Sequence, residues 1–171
     1  MKILMITSFA LLSMLMDCGY EPYEPFSAYK PILMDREELE KSISFSSSRE
    51  MIQAGKIYLR GNFIYINEKY KGIHVIDNSN PSSPQKVGFI VIPGCIDMAM
   101  KDDILFADNS IDLISINLTD DLSQLTVTKR LIGIFPELTA PDNRTLQSQY
   151  QTENRPENSV IVGWEKIDGI Y

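Results

Sequence analysis

GIHVIDNSNPSSP, residues 72–84, decides how the rest of the chain is read. An apolar run ends at Asp77, and the chain then breaks into Asn, Ser and two prolines. An aspartate at the end of a strand accepts hydrogen bonds from the amides that follow it and so starts a turn. Pro81 and Pro84 have no N–H with which to continue a strand ladder. The stretch therefore reads as a third strand and its connection to a fourth, in preference to a ligand loop.

Strands surround it. KIYL (from Lys56), FIYIN, GIHVID and KVGFIVI are short runs rich in β-branched and aromatic residues. They are separated by Arg60-Gly61-Asn62, by Glu68 to Lys71, and by the turn after Asp77. IDMAM, DILFAD, DLISINL and LTVTKRLIGIF repeat the order. Tyr65 falls on Phe106 and Ile73 on Leu113, a period of about 40 residues, which suits four-stranded propeller blades. The expected fold class is all-β: a partial β-propeller of about two four-stranded blades over residues 55–135, preceded by a short N-terminal helix and a signal peptide.

These residues are similar to the LVIVD-repeat family of β-propeller proteins, whose blades carry an apolar strand, an acid and a Ser-Asn-Pro-like turn. Here that pattern is Ile73 to Asp77 followed by Asn78-Ser79-Asn80-Pro81. Asn62-Phe-Ile-Tyr-Ile and Asp103-Ile-Leu-Phe-Ala resemble the family's second strand, and Tyr29 to Ile43 resembles the leader of envelope lipoproteins of this type. The likeness spans roughly residues 29–135 and touches Val160 to Glu165. In the second copy Asn117 replaces the acid and the proline is missing. The resemblance implies a propeller and a bacterial cell-envelope location. It implies no reaction and no catalytic residues.

The N-terminus reads as an address. After Lys2, residues Ile3 to Met16 are apolar apart from Thr7, Ser8 and Ser13. A membrane span needs about 20 such residues; this run has the size of a signal-peptide core. Leu15-Met16-Asp17-Cys18 resembles a lipobox, with Asp17 where the pattern has Gly, Ala or Ser. Residues 1–17 are thus expected to be a lipoprotein signal peptide, and Cys18 the lipidation site. The alternative is ordinary secretion, with Cys18 free or bridged to Cys95. If Cys18 is acylated, Cys95 is a lone thiol and packs as a small apolar residue.

Residues 18–33 hold three prolines and read as a stiff tether. Residues 34–54 read as a short helix and linker. In MDREELEK, Asp35 caps the first turn, Glu38 completes a capping-box pattern and Lys41 suits the far end of the dipole. Residues 136–159 are polar, with Pro136, Pro141 and Pro156, and read as a surface excursion or disordered insert. Residues 160–171 return to a strand pattern, as part of an incomplete further unit. Propellers close with typically 4–8 blades, so two blades leave two apolar faces open. The expectation is an N-terminal part of a longer product, or a short form that associates to cover those faces.

The formal net charge of −7 argues against a nucleic-acid surface. Lys129-Arg130, the adjacent basic pair, reads as part of a solvated strand. His74 is the one histidine, so a His-based metal cluster is excluded, and its apolar neighbours suggest a packed side chain. No Gly-rich phosphate loop and no CxxC occurs. Carboxylates gather in the second repeat at Asp97, Asp102, Asp103, Asp108 and Asp112, without the spacing of a calcium loop. Of these, Asp97, Asp108 and Asp112 are candidate ligand contacts, together with Trp164, which either packs in its strand or stacks on a sugar. No cofactor and no metal is expected.

The functional expectation is a non-enzymatic lipoprotein of the outer membrane or periplasm with a binding or scaffolding role. Its partners would be the membrane, through the lipid, and a protein or glycan, with missing blades or further copies covering its free faces. The alternatives are a secreted propeller hydrolase that uses a pair of acids on glycans, and a truncated inactive fragment.

Overall fold

The computed structural model describes residues 26–118 and 125–168. The residues expected to be a signal peptide, Cys18 and the first part of the expected tether lie outside them.

Two antiparallel meanders form the body. In the first, β3 (Ala54–Arg60), β4 (Phe63–Glu68), β5 (Gly72–Asp77) and β6 (Gln85–Val91) lie side by side in chain order. A short strand, β2 (Ser44–Ser46), adds to the outer edge beside β6. Gly88 leaves room there for the Phe45 ring, since a Cβ at Gly88 would lie 2.2 Å from Phe45 Cζ. In the second meander β7 (Met98–Lys101), β8 (Ile104–Asn109), β9 (Asp112–Asn117) and β10 (Thr126–Leu131) repeat the same order. The connection that opened the sequence analysis is a turn. Asp77 Oδ1 accepts from the Ser79 amide at 2.8 Å and from the Ser79 hydroxyl at 2.6 Å.

Register makes the repeat explicit. Tyr65 pairs with Val75 and Tyr58, as Phe106 pairs with Ser115 and Ala99. Ile57 pairs with Ile66, as Met98 pairs with Ala107. The offset between repeats shortens by one after the central turn, because Lys69–Lys71 link β4 to β5 whereas Ser110 and Ile111 alone link β8 to β9.

Alternation along each strand then decides what is buried. One face of the first meander presents Tyr65, Ile73, Val75 and Ile90. It packs against Met98, Leu105, Ala107, Ile114 and Ile116 of the second, and these form one continuous core. The inner strands β3 and β7 lie beside each other, and Tyr58 Oη donates to Met100 O at 3.3 Å. Adjacent meanders packed face to face with neighbouring inner strands are two blades of a propeller. The fold is all-β, a partial β-propeller.

Outside the blades, β1 (Tyr29–Asp35) pairs with β11 (Ser159–Lys166) in a separate two-stranded ribbon. The tether expected over 18–33 therefore fails for residues 29–33, which are strand. Pro31 is tolerated because a ribbon strand needs partners on one side only. β11 likewise belongs to this ribbon rather than to a further blade. Between β1 and β2 lies α1 (Arg36–Lys41), capped by Asp35, whose Oδ1 accepts from the Glu37 amide at 2.8 Å. The capping residue matches the sequence reading, although the helix starts after it.

The segment 136–159, expected to be a surface excursion or a disordered insert, is fastened to the ribbon. It contains two 3₁₀ turns, Ser148–Tyr150 and Thr152–Asn154. Its Asp142 carboxylate receives Ser27 Oγ and the Ala28 amide, each at 2.9 Å. Ribbon and helix close over the turn end of blade two: Leu39, Val160 and Val162 form a small second core with Met34 and Ile111.

Candidate functional site

The candidate residues do not converge on one centre. Asp97 and Asp108 are neighbours on an open groove of about 500 Å³, on the face of blade two that points away from blade one. Ala99, Phe106, Leu113, Phe135 and Leu138 supply its apolar walls. Phe106 and Leu113 are the repeat equivalents of Tyr65 and Ile73, so this groove lies where blade one receives blade two.

Both groove aspartates have local work. Asp108 Oδ1 accepts from the Ile96 amide at 2.9 Å and the Asp97 amide at 2.8 Å, and so fastens the β6–β7 connection to β8. Burial pushes its carboxyl above the ordinary value, against the pull of those amides. Asp97 pairs with Lys56 Nζ at 2.6 Å, and mainly for that reason its carboxyl is lowered. Beneath them, Cys95 is a free, fully buried thiol in the interblade core, pushed well up by burial and the nearby Asp108. It receives Asn67 Nδ2 at 3.2 Å.

Asp112 is elsewhere and does something else. Its side chain is 0% exposed. Arg36 reaches it through both terminal nitrogens, at 2.9 and 2.5 Å, and Arg130 at 2.7 Å. The Gly133 amide adds a fourth donor at 3.1 Å. With its oxygens so occupied, Asp112 is the centre of a structural ion cluster rather than a ligand contact. This also corrects the reading of Arg130 as solvated: it is mostly buried and binds both Asp112 and Asn109. The alternation of β10 places Lys129 and Arg130 on opposite faces, so adjacency in sequence does not imply a shared basic surface.

Trp164 lies on β11 opposite Pro31, partly buried beside two other hollows, one of about 540 Å³ and one that adjoins the acidic groove through Glu137, Leu138 and Thr139. It shares no site with Asp97 and Asp108. His74 is packed, with its ring edge-on to Phe89 at 4.8 Å. Its Nε2 lies 3.1 Å from Glu68, whose carboxylate also receives the Ile52 amide at 3.1 Å and the Gln53 amide at 2.7 Å. Sequence inspection missed Glu68, Arg36 and Arg130 as organising residues. Apart from the Glu68–His74 contact, six residues apart in sequence, the partners named above lie 15 residues or more away, so no spacing rule could have found them.

Among the described residues the sheets define a class: a propeller segment of two blades whose outer faces carry exposed apolar side chains. Within it, residues 53–90 match the family model described as the LVIVD repeat. That stretch covers blade one from the start of β3 into β6, so the likeness lies within a single blade. Nothing among the curated proteins or the solved structures matches the chain.

Proposed function

We propose that this chain is a non-enzymatic binding or scaffolding protein of the cell envelope, held at the membrane by a lipid on Cys18. The binding role rests on the groove of blade two, whose counterpart on blade one is sealed by a neighbouring sheet. An apolar recess of that kind, bordered by acids, suits contact with a partner. The non-enzymatic reading is supported by the occupation of Asp97, Asp108 and Asp112 by cations and backbone amides. The anchor rests on the apolar run ending in Leu15-Met16-Asp17-Cys18.

The anchor predicts that wild type incorporates labelled palmitate and sediments with membranes, and that Cys18→Ser does neither. An unlabelled wild type would remove it. The competing hydrolase reading depends on the raised carboxyl of Asp108. If wild type releases reducing sugar from envelope glycans and Asp108→Asn does not, the chain is an enzyme and the scaffold proposal is wrong.

A further inference from the structure

The two blades meet through faces that are not alike, and both kinds of face are present a second time. Blade two meets blade one through Met98, Leu105, Ala107, Ile114 and Ile116. The register aligns Met98, Met100, Leu105, Ala107 and Ile116 with Ile57, Leu59, Ile64, Ile66 and Ile76 of blade one. The inner-strand part of that second set is open: Met98 is 2% exposed, whereas Ile57 is 64% and Leu59 65% exposed; farther out Ile64, Ile66 and Ile76 are half-buried, and His74, the equivalent of Ile114, is buried. Conversely, blade one receives its neighbour on Tyr58, Tyr65 and Ile73. Their equivalents, Ala99, Phe106 and Leu113, line the open groove. One end of the molecule thus carries a knob face and the other a socket face, each the repeat equivalent of half of an interface already formed inside the chain.

The polar lining of the groove includes Asp97, Asp108 and Glu137 and no basic side chain. The acids of the groove are already engaged within the chain, Asp97 with Lys56 at 2.6 Å and Glu137 with Arg155 at 2.8 Å, so the pairing rests on shape and apolar surface.

We propose that copies of this chain associate head to tail, the free face of blade two in one copy docking on the free face of blade one in the next. Ile57 and Leu59 then enter a core with Ala99 and Phe106, as Met98 and Met100 share one with Tyr58 and Tyr65. Such an interface is heterologous, because each copy contributes a different face. It ends in a ring if the rotation closes. Rings hold typically 4–8 blades, more than the two seen among the described residues. The inference stands on the sheets alone and does not depend on the anchor at Cys18.

The test uses the full chain in detergent, with its mass measured by light scattering. Wild type is expected as a multimer. Ile57→Glu spoils the knob face and Ala99→Glu the socket face; both positions are exposed, so each variant should keep the wild-type melting curve and run as a monomer. Mixed together, the two variants retain one good knob and one good socket, and they should form a one-to-one dimer. A monomeric wild type would overturn the proposal. So would a multimer indifferent to both substitutions, or a mixture of folded variants that fails to pair.

Discussion

Replacing Asp112 with alanine should lower the stability of the fold by about 3–5 kcal/mol, the usual cost of removing one member of a buried ion cluster. The carboxylate is wholly buried and serves Arg36, Arg130 and the Gly133 amide at once. Arg36 begins α1 and Arg130 lies in β10, so the cluster ties the helix to blade two. Without Asp112 two guanidinium groups remain close together with little access to water, and their mutual repulsion adds to the lost bonds. Urea unfolding followed by circular dichroism gives the magnitude, and a loss below about 1 kcal/mol would be that of an exposed pair. The triple replacement Arg36→Met, Asp112→Leu, Arg130→Met should recover much of the loss, because a buried ion network exchanged for apolar groups is often neutral.

The same cluster gives a pH dependence of known sign. Burial raises the Asp112 carboxyl, but the hydrogen bonds from Arg36, Arg130 and Gly133 outweigh it, so the net shift is down from 3.8. A group that ionises more readily in the folded state stabilises it fully above its unfolded pKa and loses that effect as pH falls through the folded value. Wild type and Asp112→Asn should therefore differ most near neutral pH and converge below about 3.8.

What was legible in the sequence was local. The period of two in the strands, the stop at Asp77 and the cap at Asp35 each depend on neighbours a few positions apart, and each appears in the structure where the spacing puts it. The 40-residue echo between Ile73 and Leu113 was also readable, because both copies keep the same register. The pairing of Tyr29–Asp35 with Ser159–Lys166 was not, since nothing local announces a partner so far along the chain. For the same reason three aspartates close in sequence looked like one cluster. Asp108 lies on a face of β8, whereas Asp112 opens β9 beyond a sharp two-residue turn and points into the helix layer. Counting acids finds candidates; only the pleat and the turns say which of them meet.

Glu68→Ala should cost about 3 kcal/mol, on the scale of hydrogen bonds made to a charged, buried acceptor. The Glu68 side chain crosses under the segment that carries the chain from the outer strand β2 back to the inner strand β3. Its carboxylate holds the Ile52 and Gln53 amides, at 3.1 and 2.7 Å, and contacts His74 Nε2 at 3.1 Å. Removing it frees both amides and leaves His74, 1% exposed, without that partner. Amide exchange at Ile52 and Gln53 should accelerate with the loss of stability. Glu68→Gln separates shape from charge: its side-chain oxygen can still accept from either amide, so it should lose clearly less than Glu68→Ala. Burial raises the Glu68 carboxyl, but the Gln53 amide, His74 and the Ile52 amide together bring it below 4.5. The contribution is thus present above that value and disappears as acid protonates the folded state. Glu68→Gln should flatten this part of the acid-unfolding curve. If Glu68→Ala unfolds with the wild-type midpoint and leaves exchange at Ile52 and Gln53 unchanged, the carboxylate is not what holds the crossing segment to the blade.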